Sequence, residues 1–272
     1  MLLDEIRQFL KQNGIYLDTD KGQHFLIDEF VLEDIIAAAH LKPTDRIVEI
    51  GPGIGILTRE LLKSVSHVTA IEIDNTLIPF LRVFTGIGNP KLTIVQGSAL
   101  EVPMPSDHPY TIVANIPYHI TSPLLTHTLI EAERRPTSLT LLIQREVAEN
   151  ICSEESSSIL TVLVRLFGTP SLVRLVEPEC FFPQPKVDSA VLHIECFAEP
   201  KANRETVQHI LKLAKLAFTQ RRKMLRNSIG AMPKGPEAML EAKIDPKRRP
   251  QTLTIDEWIA LDAALQHLRG KI

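Results

Sequence analysis

Over its first two thirds the chain repeats one alternation: a short run of β-branched and aliphatic residues, then a longer stretch compatible with a helix. The runs are RIVEI (46–50), HVTAIEI (67–73), KLTIVQ (91–96), YTIVA (110–114) and SLTLLIQ (138–144). Their length and composition predict strands. They are apolar almost throughout rather than at every second position, so both faces are expected to be covered. Strands of that kind separated by helices predict an α/β fold, a doubly wound and mostly parallel sheet that binds ligands at the carboxyl ends of its strands. Two later runs, SLVRLVEP (171–178) and DSAVLHIECF (188–197), extend that sheet, with room for an antiparallel member.

The pattern changes near residue 199, in the polar, proline-containing AEPKAN. NRETVQHILKLAKLAFTQRRKMLRNSIG (203–230) is helical by spacing, and TLTIDEWIALDAALQHLRG (252–270) opens with Thr254 and Glu257 placed as a capping box. We therefore expect a domain over 1–199 and a small all-α domain over 200–272. At the other end, MLLDEIRQFLKQNG mixes acids and amides into its apolar positions, which predicts an amphipathic surface helix and not a signal peptide.

At 272 residues the chain suits one large domain with an appendage, and no apolar run approaches the roughly 18 residues of a membrane span. A cytoplasmic location without membrane contact is the expectation. Cys152, Cys180 and Cys196 are widely separated and lack metal-ligand spacing, which predicts buried reduced thiols and no metal. Nothing requires more than a monomer. The net charge of −3 hides an uneven distribution: residues 201–250 hold 13 Lys and Arg against 4 Asp and Glu, the remainder 17 against 29. An acidic body with a basic C-terminal part points to a polyanionic partner. Within that part Lys212, Lys215, Arg221, Arg222, Lys223 and Arg226 form a cluster with no acid between Thr206 and Pro236. Solvated charged faces normally carry both signs, so this one favours phosphate contacts and salt-dependent binding.

Two stretches carry candidate chemistry. VEIGPGIGILTREL (48–61) reads strand, then Gly51, Gly53 and Gly55, then helix. Such a turn can lie against a nucleotide-like ligand, although tight packing alone also explains glycines. The spacing is neither G-x-G-x-x-G nor a P-loop. Glu72 ends the second strand, placed for its carboxylate to accept both hydroxyls of a ribose. The other stretch, ANIPYHI (114–120), puts an amide and a proline where the fourth strand ends. An adenine amine is a poor nucleophile because its lone pair is delocalised. Acceptors on its two hydrogens, the Asn115 side-chain oxygen and the Ile116 carbonyl, would favour a pyramidal nitrogen during attack. Pro117 fixes the turn and Tyr118 offers a face for stacking.

EIGPGIGILT followed by IEID resembles the binding half of S-adenosylmethionine-dependent methyltransferases, and NIPY is similar to the Asn-Leu/Ile-Pro-Tyr motif of methylases acting on adenine amines. KGQHFLID (21–28), FFPQPKVDSAV (181–191) and FTQRRKMLRNSIG (218–230) resemble signatures of the rRNA adenine dimethyltransferases. The resemblance runs from Lys21 to the end. It implies a Rossmann-like methyltransferase domain, S-adenosylmethionine as cofactor, and as partner the small-subunit rRNA or the assembling small subunit, dimethylated at two neighbouring adenosines of a hairpin loop near its 3′ end. It further implies that His24, Leu26, Gly51, Gly53, Glu72, Ser98 and Asn115 line the cofactor pocket. Phe181 would stack on the target base opposite Tyr118, with ordinary core packing as the alternative.

The chain departs from the family's pattern in places. Ser98 stands where Asp is usual, which predicts weakened cofactor affinity. Asn150 and SSSILT (156–161) replace a basic residue and Tyr-Gly-Arg-Leu-Ser, and His24 stands where Asn is frequent. Two rivals follow: a non-catalytic RNA-binding assembly factor, and the erythromycin-resistance methylases of large-subunit rRNA, which fit QRRKMLRNS less well.

Overall fold

The computed structural model describes residues 2–18, 22–155, 157–219 and 223–270. In chain order the elements are α1 (Leu2–Asn13), β1 (Phe25–Leu26), α2 (Glu29–Ala38), β2 (Arg46–Ile50), α3 (Ile56–Ser64), β3 (His67–Glu72), α4 (Ile78–Thr85), β4 (Leu92–Gln96), β5 (Thr111–Asn115), α5 (Thr121–Thr126), β6 (Ser138–Gln144), α6 (Arg145–Cys152), α7 (Ile159–Phe167), β7 (Gly168–Val176), β8 (Phe181–Phe182), β9 (Ser189–Cys196), α8 (Arg204–Phe218), α9 (Gly235–Glu241) and α10 (Ile255–Arg269).

Seven strands form one sheet in the order β4-β3-β2-β5-β6-β9-β7, and β1 pairs with β8 in a separate two-stranded ladder. The pairs β2–β3, β3–β4, β2–β5 and β5–β6 are parallel, whereas β9 runs antiparallel to β6, pairing Thr140 with His193. The fold is thus the expected α/β sheet with its antiparallel late member. Ile47, Val113, Leu142 and Val191 share a core with Leu2, Ile6 and Leu10 of α1, Val31 and Ile35 of α2, and Leu57 and Leu61 of α3. The alternate residues Val48, Ile112 and Leu141 are buried as well, so both faces are covered. That is why these strands read as unbroken apolar runs.

From β2 the chain steps outward to β3 and β4, then returns to the other side of β2 for β5. The reversal leaves a crevice at the carboxyl ends of β2 and β5, where doubly wound sheets bind their ligands.

The described residues divide into two compact units, Met1–Ala148 with Pro170–Cys196 and Glu149–Thr169 with Phe197–Ile272. The second unit therefore includes 149–169, a stretch that sequence patterning places with the first domain. Its helix α7 buries Val162, Leu163, Val164, Leu166 and Phe167 and packs against α8 and α10. The 203–230 segment is not one helix. α8 ends at Phe218, and short 3₁₀ turns follow at Leu225–Asn227 and Ile229–Ala231. Leu225 and Arg226 donate their N–H groups to the carbonyls of Arg248 and Pro246, and donors spent on another segment cannot continue a helix. The capping box of α10 forms as expected: Glu257 N–H donates to Thr254 Oγ1 at 3.2 Å, and Thr254 N–H to Glu257 Oε2 at 2.8 Å.

No described helix is long and apolar enough to cross a membrane. Among the described residues no cluster of three or more His, Cys, Asp or Glu is placed to hold a metal. The cysteines are free but only partly buried, short of the full burial expected.

Candidate active site

At the end of β2, Gly51, Gly53 and Gly55 adopt φ values of +65°, +59° and +98°, a region unfavourable to side chains. At Gly53 space forbids one too, since a Cβ would lie 2.7 Å from the Phe25 ring. The Gly53 N–H donates to Glu72 Oε2 at 3.0 Å and the Asp74 N–H to Glu72 Oε1 at 2.8 Å. Glu72 is 4% exposed, and its carboxylate, with about four lone-pair sites, keeps acceptor capacity beyond its backbone donors. Burial raises its pKa above the ordinary carboxylate value, while the backbone N–H groups of Asp74, Gly53 and Ile73 oppose the rise.

The turn and the acid wall a cavity of about 600 Å³. His24, Leu26, Gly51, Gly53, Glu72, Ser98 and Asn115, the seven residues expected to hold the cofactor, all line it. Ser98 Oγ accepts from the Leu100 N–H at 3.3 Å. A second cavity of about 340 Å³ is lined by Ile116, Tyr118 and Gln144, and it shares Gly22, His24, Asn115, Pro117 and His119 with the first. The two spaces meet at Asn115.

Asn115 ends β5 half-buried, and its Nδ2 donates to the His24 carbonyl at 3.2 Å. That bond fixes the orientation of the amide and leaves Oδ1 as an acceptor. Pro117, at φ −56° and ψ 131°, turns the chain into the 3₁₀ turn Tyr118–Ile120. Tyr118 Oη shares a 2.6 Å hydrogen bond with Ser189 Oγ, which anchors the ring from β9. Burial raises the phenol's pKa, so the ring is a neutral surface. Phe181 is placed differently from the expectation. It is 1% exposed, pairs with Leu26 across the β1–β8 ladder, belongs to the core and lines neither cavity. That placement is the one the core-packing alternative describes. Its neighbour Phe182 carries the Arg7 guanidinium over its ring at 5.1 Å.

Lys212 and Lys215 are exposed on α8, as are Lys223 and Arg226 beyond it. Arg221 and Arg222 lie outside the described residues. In the altered loop, Ser158 caps α7 in a capping box with Thr161, whose hydroxyl also donates to the Asn150 carbonyl at 2.8 Å.

The chain matches the model of the ribosomal RNA adenine dimethylase family over residues 16–266. It belongs to that family. It is 42% identical over 247 residues to the ribosomal RNA small subunit methyltransferase A of Dehalococcoides mccartyi strain CBDB1, covering 87% of this chain and 84% of the relative. The protein of that name from Clostridium perfringens strain 13 is 39% identical over 270 residues, 95% of this chain and 94% of the other. Among solved structures, the 23S rRNA methyltransferase ErmE superposes with a TM-score of 0.72 at 29% identity, covering 89% of this chain and 99% of that one. A dimethyladenosine transferase from Plasmodium falciparum gives 0.73 at 25% identity, with 91% and 98% covered.

This dimethylase is accordingly an S-adenosylmethionine-dependent rRNA methyltransferase. The first cavity fits such a cofactor: backbone can approach closely at glycines that admit no Cβ, and an acid with free lone pairs stands one strand away. Residues of the motifs that the sequence reading did not single out contribute to it. Ile73 lines the cavity while 70% exposed, an apolar side chain suited to cover by a flat ring. Gln23 bridges across to Asp74 Oδ2 at 3.1 Å. Glu49 also lines the cavity and is fully buried, with Oε2 lacking a hydrogen-bond partner among the described residues. An acid inside the otherwise apolar run RIVEI is the sequence signal for it.

Burial pushes the Glu49 carboxyl up from 4.5 to about 8, with the Glu72 charge adding to the rise and Thr58 opposing it. Between about pH 4.5 and 8 the folded chain then holds a proton that the unfolded chain has already lost. Glu49 therefore makes stability fall as pH rises through that window. We expect Glu49→Gln to flatten the fall, so that thermal denaturation shows the variant gaining on the parent from pH 5 to 8; parallel curves would contradict this. Ser98→Asp should tighten S-adenosylmethionine binding several-fold, because charge-assisted hydrogen bonds are roughly twice as strong as neutral ones. Calorimetric titration tests it, and unchanged affinity would refute a role for this position.

Proposed function

We propose that the protein dimethylates the exocyclic amines of two adjacent adenosines in a 3′-terminal hairpin loop of small-subunit rRNA, late in subunit assembly. The observation that carries this reading is the meeting of the two cavities at Asn115, whose Nδ2 is held by His24 while Oδ1 stays an acceptor. S-adenosylmethionine supplies an electrophilic methyl group when bound. Glu72 would hold its ribose hydroxyls, Gly51 and Gly53 would allow close approach of the backbone, Ser98 would accept from the adenine amine, and His24 and Leu26 would complete the wall. In the second cavity, Tyr118 would stack on the target base while Asn115 Oδ1 and the Ile116 carbonyl accept its two amine hydrogens. Stacking is worth roughly 1–3 kcal/mol per base, a fair return for taking that base out of its own stack. The protein acts as a monomer in the cytoplasm.

Residues 200–272 form the RNA-contacting part in this reading, with Lys212, Lys215, Arg221, Arg222, Lys223 and Arg226 on phosphates. Among the described residues, Lys212, Lys215, Lys223 and Arg226 have no acid within ion-pair distance. Replacing these four by Ala should weaken RNA binding without altering cofactor affinity. It should also lower the slope of log affinity against log salt by roughly one for each phosphate no longer neutralised; an unchanged slope in filter binding would exclude them. The non-catalytic alternative draws on Ser98 and the altered loop, yet Ser98 still lines the cavity and Ser158 and Thr161 of that loop cap α7. Offering labelled cofactor with unmethylated small and large subunits separates the substrates. Label in the small subunit is expected, and label confined to the large subunit would overturn the proposal.

A further inference from the structure

His24 lies on the wall common to both cavities, and two contacts fix it. Its Nδ1 is 2.8 Å from the Pro183 carbonyl oxygen. A carbonyl can only accept, so Nδ1 carries the hydrogen and the lone pair of the neutral ring is on Nε2. Its own carbonyl receives the Asn115 Nδ2 hydrogen at 3.2 Å. The imidazole is therefore tied, through its own backbone, to the amide that would hold the target amine.

We infer that His24 is the proton acceptor of methyl transfer, a catalytic residue that rests on the function proposed above. As the lone pair of the adenine nitrogen forms the new N–C bond, the S–C bond breaks with its electrons left on sulfur. The nitrogen becomes cationic and, as one of its two hydrogens leaves its acceptor oxygen, that proton passes to His24 Nε2. The imidazolium then gives that proton to water, and the ring is ready for the second transfer, in which the monomethylated nitrogen loses its remaining hydrogen.

Other titratable groups around the two cavities are less suited to the task. His119 lines both cavities but is exposed, with no partner fixing its ring among the described residues. Glu72 already holds two N–H donors, and Asp74 holds Gln23. Glu49 lines only the first cavity, and Tyr118 is bonded to Ser189.

His24→Asn is the informative variant, because its amide can still donate to Pro183 O yet cannot take up a proton at neutral pH. Single-turnover methyl transfer by the full-length protein should show an acid limb governed by one group. In His24→Asn that limb should vanish and the rate at pH 8 should drop by roughly 100-fold, the lower end of what general base catalysis contributes. Rates are compared at saturating S-adenosylmethionine, with its affinity read by calorimetry, so that any loss of cofactor binding is separated from the chemical step. His119→Asn should keep the acid limb. The inference is overturned if His24→Asn retains the limb, if His119→Asn loses it, or if weaker cofactor binding accounts for the slower rate. Nitrogen-15 shifts of His24 in the ligand-free protein supply a reading that needs no turnover: a proton on Nε2 in the neutral ring would also overturn it. Absence of methyl transfer by the unaltered protein would instead defeat the proposed function, and the proton acceptor with it.

Discussion

Replacing Asn115 with Ala is expected to lower methyl transfer by at least roughly 100-fold, the scale of losing one preorganised polar contact at a reacting centre, while RNA affinity stays within about twofold. The loss has two parts. The acceptor Oδ1 disappears, so nothing holds the amine with its lone pair directed at the methyl group. The Nδ2 donor to His24 also disappears, so the shared wall of the two cavities loosens. RNA binding is spared because the exposed cations lie elsewhere in the sequence, on α8 and beyond it. Single-turnover rates beside filter binding make the comparison. A fully active Asn115→Ala protein would remove the basis of the proposed chemistry.

Glu72→Ala is expected to act on the cofactor instead. Its carboxylate accepts from Gly53 and Asp74 and, in the proposed cofactor complex, from a ribose as well. Removing it takes away charge-assisted hydrogen bonds worth roughly 1.5–3 kcal/mol each and leaves the Gly53 N–H without its acceptor inside the protein. S-adenosylmethionine affinity should fall by about 100-fold or more in calorimetric titration. Glu72→Gln retains one acceptor oxygen and should fall between. Affinity unchanged in Glu72→Ala would mean that the acid serves only to hold the turn.

Much of the fold and the site is legible in the sequence because the decisive features are local. A glycine turn between strand and helix, an acid ending the next strand and an amide-proline strand end each announce themselves within a few residues. The strand order converts those local signals into one crevice. What escapes the sequence depends on tertiary partners. The helix expected through 230 is not continued at Leu225 and Arg226, whose donors are committed to Arg248 and Pro246, about twenty residues further along the chain. The inward placement of Phe181 follows from its pairing with Leu26, which no spacing rule reveals. The stretch 149–169 reads as part of a sheet domain until α7 is seen packed on α8 and α10. Glu49 and Ile73 matter through burial and exposure, and neither is a property of residue type alone.

An adenine amine presented where the two cavities join should accept two methyl groups in succession. Mass spectrometry of nucleosides from the 3′-terminal hairpin of unmethylated small subunits, after incubation with this protein and S-adenosylmethionine, reads that outcome at the product itself. N6,N6-dimethyladenosine is expected at two adjacent positions, and neither should carry it when Asn115→Ala replaces the parent. Methylation of another base, or of another ring atom of adenine, would contradict the proposed presentation of the amine.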